Sequence, residues 1–341
     1  MRSKPNILIA GIGGASLGTE ILKCLLLVKE RYTIFGCDIS PFAFGHYQEG
    51  FKQTFLAERN NYIESIIEIC CKADIDCIIP GGEEPLILLS QAIEQLAKEN
   101  IRLAANSVSV IEQCTDKSKT FERLGKLGFQ IPLTLTIEHP DELKQMVYPC
   151  VIKPATGSGG SSFVFLAENE DEAILYVTYL KQNAQKVIVQ EYISEQDGEF
   201  SIGVLSLVNQ KIFSSIALKR IFNSKLSVLI KGKSGLISSG YSQGLIDDFP
   251  EFCMIAEKMA SAMGSVGPIN VQGRVKNGIL IPFEINPRFS ASTYLRAMAG
   301  FNEIDMYLRH ILHGEKIIMP DIRYGYYLRS LSETFVRKIK S

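Results

Sequence analysis

The stretch Ile281-Pro282-Phe283-Glu284-Ile285-Asn286-Pro287-Arg288 places a carboxylate, a carboxamide and a guanidinium at alternate positions. Side chains two residues apart on a β-strand point to the same face, so Glu284, Asn286 and Arg288 should line one surface. Oxygen ligands beside a fixed cation suit a hard metal ion that bridges phosphates. Because such a surface would cost stability without a partner, we interpret the stretch as a binding site.

The composition is that of a globular protein: 46% of the 341 residues are hydrophobic and 21% are charged. A chain of this length can form two or three domains. The formal net charge of −1 provides no long-range attraction to nucleic acid or to membranes, so we expect neither as a partner. No targeting signal is evident, and the eight cysteines follow neither a disulfide nor a zinc pattern. We therefore expect a cytoplasmic protein with reduced thiols.

The first hundred residues alternate between short apolar runs and stretches with helical spacing, which predicts a parallel, doubly wound α/β sheet. The predicted strands are residues 6–10, 33–37 and 76–80, and the predicted helices are residues 17–28, 62–71 and 84–99.

A glycine cluster, Gly11-Ile12-Gly13-Gly14, follows the first predicted strand. It matches a dinucleotide-binding fingerprint only approximately, because the third glycine falls at Gly14 or Gly18 instead of at the expected spacing. Asp38 ends the second strand, where a ribose-binding acid would stand. Glycines also permit a tight strand–helix turn without any ligand, and we favour that interpretation over an NAD-dependent oxidoreductase.

Beyond Pro132 the pattern changes to a small α+β unit followed by a second, larger sheet. The predicted strands are residues 151–153, 163–166, 187–190 and 200–207, with one helix near residues 171–182.

Lys153 precedes a glycine- and serine-rich run at residues 156–162. This is not a Walker A loop, because the lysine comes before the glycines and a strand follows them. The backbone N–H groups of such a hairpin tip can fold over phosphates, with the lysine as a point charge. A plain flexible loop is the alternative. We favour a phosphate lid because Lys153 lies in an apolar run, where an unpaired ammonium would be costly.

Other charged residues have two interpretations each. Lys117 follows Asp116, a plausible helix N-cap, and taken alone it is best read as a solvated surface lysine. Arg296 could hold a substrate carboxylate through a bidentate fork, and a structural ion pair is equally consistent. Glu191 and Glu199 could accept hydrogen bonds from ribose hydroxyls, although each glutamate alone is more typical of a surface charge.

Taken in order, these segments resemble the ATP-grasp superfamily, and within it the carbamoyl-phosphate-synthase-like and amino-acid-ligase-like proteins. The segments that carry the resemblance are Asp116-Lys117, Val151-Ile152-Lys153-Pro154, residues 156–162, Gln190-Glu191-Tyr192-Ile193, Glu199, Gln272 and residues 284–288. The resemblance implies α/β and α+β architecture, with a Rossmann-like domain at residues 1–108 and a two-lobed ATP-grasp domain at residues 109–341. Within the latter it implies a lid subdomain at about 132–195 and a central sheet at about 196–341.

The resemblance also implies a role for each matching residue. Binding of ATP is implied for Lys117, Lys153, Gly159, Gly160, Ser161, Glu191, Tyr192, Ile193 and Glu199. Binding of Mg²⁺, or of Mn²⁺ in its place, is implied for Gln272, Glu284 and Asn286. Stabilisation of the transferred phosphoryl group is implied for Arg288, Lys153 and Lys117.

The turn Asn277-Gly278 tests whether Gln272 can join that metal site. A two-residue type I′ hairpin would pair Gln272 with Phe283, which puts Gln272 and Glu284 on opposite faces. A three-residue loop with a bulge at Gly278 would pair Gln272 with Pro282 and bring both ligands to one face. We therefore predict the longer loop.

The function implied by the resemblance is an ATP- and Mg²⁺-dependent carboxylate–amine ligase that works through an acyl phosphate and releases ADP and phosphate. Its partners would be an amino acid or similar small carboxylate and an amine, and the expected assembly is a homodimer. Two alternatives stay open: an acyl-phosphate-forming or carboxylating enzyme without an amine acceptor, and a catalytically silent ATP-binding regulator.

Overall fold

A computed structural model describes residues 4–14, 17–157, 163–183, 185–336 and 338–340. Its helices are α1 (Leu17–Leu26), α2 (Tyr62–Ala73), α3 (Glu83–Gln91), α4 (Ile93–Lys98), α5 (Val108–Thr115), α6 (Lys117–Lys126), α7 (Glu170–Gln182), α8 (Pro250–Ala262), α9 (Thr293–Met298) and α10 (Glu303–His313). No helix in these ranges is long and apolar enough to cross a bilayer.

Within these ranges the strands divide into four sheets. They are β1 (Asn6–Ala10), β2 (Thr33–Asp38), β3 (Gln53–Leu56), β4 (Cys77–Pro80), β5 (Arg102–Leu103), β6 (Thr134–Thr136), β7 (Cys150–Pro154), β8 (Phe165–Ala167), β9 (Val187–Glu191), β10 (Glu199–Ser206), β11 (Ile212–Arg220), β12 (Val228–Lys231), β13 (Leu236–Ser238), β14 (Gly244–Ile246), β15 (Pro268–Lys276), β16 (Ile279–Asn286) and β17 (Gly325–Tyr327).

The N-terminal sheet is parallel with strand order β3-β2-β1-β4-β5, as predicted. The order reverses between β1 and β4, which opens a crevice at their carboxyl ends. Gly18 explains part of the glycine cluster, because a Cβ there would lie 1.9 Å from the Gly11 carbonyl oxygen. The predicted helix at residues 84–99 is two helices, α3 and α4, that meet at Ala92.

The lid sheet is antiparallel with order β6-β9-β7-β8 and packs against α7. Its strands alternate as the pleat requires. Cys150 and Ile152 of β7 point into the core beneath α7, together with Val187 and Val189 of β9. Lys153, the residue after Ile152, therefore lies on the opposite face of the sheet.

The central sheet has order β16-β15-β10-β11-β14-β17. Alternate residues of its strands enter two different cores. Ala217 of β11 packs with α6 and α8 on one face, while Ile216 and Leu218 pack with α1, α9 and α10 on the other. The sheet is thus covered on both sides. The segment whose sequence gave no signature, residues 219–240, contains the separate β12–β13 hairpin.

The β15–β16 hairpin corrects the loop prediction. Asn277 and Gly278 form a two-residue turn in which both have positive φ (53° and 75°), so the predicted three-residue loop is wrong. The pairing nevertheless shifts by one residue at a β-bulge, where Phe283 has no ladder partner. Gln272 therefore stands directly opposite Glu284, on the same face. The bulge thus brings Gln272 and Glu284 to one face, which was the result expected from the longer loop.

Candidate active site

Four of the predicted phosphate and metal residues line one cavity between the N-terminal sheet and the central sheet: Lys117, Glu284, Asn286 and Arg288. The lining residues come from the start of α3, the α5–α6 junction and the end of β16, and they are Glu83, Leu86, Cys114, Thr115, Lys117, Glu284, Ile285, Asn286, Pro287 and Arg288. The cavity therefore unites Lys117 with the acidic–amide–basic stretch that was singled out in the sequence. Glu83 is a lining residue that the sequence did not identify.

Lys153 is buried, with 5% of its surface exposed. Its Nζ donates to Gln190 Oε1 and to the Phe283 carbonyl oxygen, both at 2.9 Å. Burial lowers the pKa of Lys153 to about 7; the neighbouring charge of Lys117 acts in the same direction and that of Glu284 opposes it. An anionic ligand at this amine would therefore favour its charged form.

Lys117 is also buried, which excludes the solvated surface lysine that its sequence alone suggests. Its backbone N–H donates to the Ala155 carbonyl oxygen at 2.8 Å, which ties the start of α6 to the end of β7. Asp116 caps α6 as predicted, accepting from the Ser118 N–H at 2.9 Å. The fold thus brings two lysines that lie 36 residues apart in sequence to one place.

The metal-ligand set is chemically consistent with Mg²⁺. Gln272 and Glu284 oppose each other, and Asn286 lies two residues along the same face. Among the described residues, the Glu284 carboxylate has no hydrogen bond or ion pair, so its oxygens are available. Asn286 Oδ1 accepts from Arg288 at 3.3 Å. In the described ranges no three His, Cys, Asp or Glu side chains converge on a metal position, so one carboxylate with two amides would need phosphate oxygens to complete the shell.

The segment expected to flank adenine forms the hinge between β9 and β10. Glu191 pairs with Lys276 at 2.6 Å. The Tyr192 ring lies 4.8 Å from the Arg274 guanidinium. The Ile193 carbonyl accepts from Arg274 Nη1 at 2.7 Å, which occupies one of its two lone pairs. The adenine assignments for Glu191, Tyr192 and Ile193 remain predictions.

Glu199 is in a different setting from the ribose site expected for it. It is completely buried, and its two oxygens accept from Arg220 Nη1 at 3.0 Å and from Arg274 Nε at 2.8 Å. Burial lowers the pKa of Arg220, against the attraction of Glu199. These bonds and the burial give Glu199 a structural role in this conformation, and its assignment to ribose remains a prediction.

Arg296 is likewise structural, and its substrate assignment is corrected. Its side chain is completely buried and pairs with Glu303 at 2.5 Å. It also donates to Asn270 Oδ1 at 3.1 Å and to the hydroxyls of Ser290 and Ser292 at 3.0 Å. With its guanidinium nitrogens bound in this way, it cannot clamp a substrate carboxylate.

The lid residues Gly159, Gly160 and Ser161 lie outside the described residues. Asp38, in the position of a ribose-binding acid, forms hydrogen bonds with the neighbouring backbone. It accepts from the backbone N–H groups of Ile12 at 2.8 Å and Ser40 at 3.0 Å, which stabilises the glycine-rich turn. These bonds agree with the interpretation of that cluster as a structural turn.

A profile of the ATP-grasp domain matches residues 114–292, more than half of the chain. The protein therefore belongs to the ATP-grasp family, and the expected family and fold class are confirmed.

Individual relatives are distant. The arginine-specific large chain of carbamoyl phosphate synthase from Bacillus subtilis is 22% identical over 238 residues, which cover 67% of this chain and 22% of that one. The biotin carboxylase domain of the Hydrogenobacter thermophilus 2-oxoglutarate carboxylase superposes with a TM-score of 0.70 at 16% identity, over 96% of this chain and 74% of that chain. The L-amino acid ligase from Bacillus licheniformis superposes with a TM-score of 0.67 at 18% identity, over 92% and 75%.

At these identities the structural likeness establishes the fold alone. The first curated relatives are also much longer, since the match spans 22% to 39% of their length. What those proteins do as whole molecules does not pass to this chain by likeness.

Proposed function

We propose that the protein is an ATP- and Mg²⁺-dependent carboxylate–amine ligase that releases ADP and phosphate. The observation that carries the proposal is the joint placement of Lys117, Arg288, Glu284 and Asn286 around one cavity, with Lys153 buried beside it. Two oxygen ligands and three cations match the charge that develops when a phosphoryl group moves. A cytoplasmic location, homodimeric assembly and replacement of Mg²⁺ by Mn²⁺ belong to the same proposal.

In this mechanism the substrate carboxylate attacks the γ-phosphorus of ATP, and the bond to the departing ADP oxygen breaks. Lys117, Lys153 and Arg288 hold the phosphoryl oxygens in line. Mg²⁺ at Glu284 and Asn286 would neutralise phosphate charge. An amine then attacks the acyl carbon, phosphate leaves, and the surplus proton passes to water. The site must exclude water while the acyl phosphate exists.

The joint placement of the candidate phosphate and metal residues favours an enzyme over a silent regulator, because a protein that only bound ATP would not need Arg288, two residues after β16. A carboxylating enzyme without an amine acceptor would use the same first step. The structural likeness to a biotin carboxylase domain keeps that second candidate open.

Release of ADP and phosphate from Mg-ATP distinguishes these functions. The protein is incubated with amino acids and small carboxylates, singly and in pairs, and with bicarbonate. Release that requires a carboxylate together with an amine is the expected result. Release with a carboxylate or bicarbonate alone would favour the second candidate. Binding of ATP with no release in any mixture that covers the amino acids would contradict the ligase.

We place the amine substrate in the crevice of the N-terminal sheet. This cavity of about 240 Å³ is lined in part by Ile39, Leu88 and the exposed side chains of Arg59 and Glu84. Among the described residues, neither of these two charges has a hydrogen bond or an ion pair. The crevice adjoins the phosphate cavity, because Glu84 lines the former and its neighbour Glu83 lines the latter. Crevices at this end of a parallel sheet are common ligand sites.

Leu88→Trp should narrow the crevice and raise the KM for the amine roughly tenfold, with the KM for ATP unchanged. Steady-state kinetics with the amine found in the release assay measure both constants. Leu27→Trp is the matched control, because Leu27 is 47% exposed and lies outside the crevice. An unchanged amine KM in the Leu88 variant would show that the amine does not bind in this crevice.

A further inference from the structure

Two hydrogen bonds of the Lys153 ammonium fix the direction of its third N–H donor. The ammonium has three N–H donors and no acceptor. One donor is bound to Gln190 Oε1 and another to the Phe283 carbonyl oxygen. On a tetrahedral nitrogen, two fixed directions leave one direction for the third donor. Within the described residues this third donor has no nitrogen or oxygen acceptor, and the Phe121 ring centroid lies 5.8 Å from Nζ.

The Phe283 contact is a product of the bulge in β16. Phe283 has no partner in the β15–β16 ladder. Its carbonyl oxygen is therefore available for the lysine of the neighbouring lid sheet. The same irregularity that puts Gln272 opposite Glu284 thus also holds Lys153.

The contact between Lys153 and Gln190 depends in turn on Thr134. Gln190 is 1% exposed, and its Nε2 donates to Thr134 Oγ1 at 3.0 Å. The Thr134 hydroxyl proton is already donated to the Pro132 carbonyl oxygen at 2.9 Å. The Thr134 oxygen can therefore only accept, so the NH₂ end of Gln190 must face it. The oxygen end of Gln190 then faces Lys153, which can only donate.

The strand register produces this arrangement. Thr134 of β6 pairs directly with Gln190 of β9, and Gln190 pairs with Val151 of β7, two residues before Lys153. All of these side chains lie on the face of the lid sheet opposite its core. The orientation of the Gln190 amide is therefore determined from both sides.

We propose that Gln190, oriented by Thr134, is a positioning residue that directs the third N–H of Lys153 to a phosphate of the bound nucleotide. This inference rests on the proposed function, in which Lys153 binds ATP phosphates. Gln190 does not touch the nucleotide itself. It acts by holding the lysine, and its loss leaves the ammonium free to turn away.

Isothermal titration with Mg-ADP and with adenosine tests this role. Gln190→Leu should weaken Mg-ADP binding roughly tenfold to a hundredfold, the range for a hydrogen bond to a charged group. Thr134→Val should weaken it roughly threefold to tenfold, because the amide can then flip. Thr134→Ser keeps the hydroxyl and should restore affinity to within about twofold of the wild type. Adenosine lacks phosphates, so its affinity should be unchanged in every variant.

The double variant Thr134→Val/Gln190→Leu should match Gln190→Leu alone, because Thr134 acts through Gln190. Additive losses would overturn the chain of contacts. Equal weakening of Mg-ADP and adenosine would also overturn it, because that pattern indicates damage to the lid fold.

Lys153→Met separates the inference from the proposed function. If this variant loses Mg-ADP affinity while the Gln190 and Thr134 variants do not, the positioning role is wrong and the phosphate role of Lys153 stands. If Lys153→Met binds Mg-ADP as tightly as the wild type, the phosphate role itself is wrong.

Discussion

Replacing Glu284 and Asn286 together with alanine will lower turnover at least about a thousandfold, while nucleotide binding in the presence of EDTA stays intact. The reason is the ligand count. Gln272, Glu284 and Asn286 include a single carboxylate. This set completes a Mg²⁺ shell only with phosphate oxygens. Losing two of the three proposed protein ligands would weaken Mg²⁺ binding during phosphoryl transfer and would leave the lysines proposed to hold the phosphates.

The measurement is ADP release with Mg-ATP and saturating substrates, beside ADP titration in EDTA. Gln272→Ala should give a smaller loss, since Gln272 supplies only one neutral oxygen. Glu251→Ala, an exposed carboxylate on α8, is the matched control and should retain full activity. Full turnover of the double variant would show that Glu284 and Asn286 do not bind the catalytic metal ion.

The alternation of side chains was enough to predict that Glu284 and Asn286 share a face, because period two is a local property of the strand. The route by which Gln272 reaches that face was not predictable. Asn277-Gly278 forms the type I′ turn that its sequence favours. The compensating bulge at Phe283 has no sequence signature, because a bulge reflects pairing with the partner strand and the demand of Lys153 for the freed carbonyl.

Phosphate lysines and buried ion pairs look alike in a sequence. Lys117 was ambiguous, and only its burial beside Ala155 excludes a surface role. Arg296 was ambiguous between a substrate clamp and an ion pair, because its partner Glu303 lies on the next helix and the pairing is not visible in the sequence. Gln190 is the residue most easily overlooked, because its partners Thr134 and Lys153 lie on other strands. The sequence does not reveal these partners, because only the tertiary structure brings them together.

Glu199→Ala will destabilise the protein by about 3–5 kcal/mol, the usual cost of removing one partner from a buried charge cluster. The substitution leaves the guanidinium groups of Arg220 and Arg274 buried, each only 5% exposed, with no carboxylate between them. Their remaining hydrogen bonds go to backbone carbonyls, including that of Leu236 on β13. These carbonyls carry no net charge, and the one remaining carboxylate partner among the described residues, Glu195, lies 3.9 Å from Arg274 Nη1. The two cations would therefore be under-compensated, and the loss should also loosen the β12–β13 hairpin.

Urea unfolding of the variant measures the loss, and Glu191→Ala is the control. Glu191 pairs with Lys276 near the surface, where the lysine side chain is 52% exposed, so its loss should cost less than about 1 kcal/mol. Replacing the whole cluster by Glu199→Leu/Arg220→Met/Arg274→Leu should recover much of the stability, because no unpaired charge is left buried. If Glu199→Ala instead keeps wild-type stability and loses the preference for ADP over 2′,3′-dideoxy-ADP, the carboxylate binds ribose and the ion cluster is incidental.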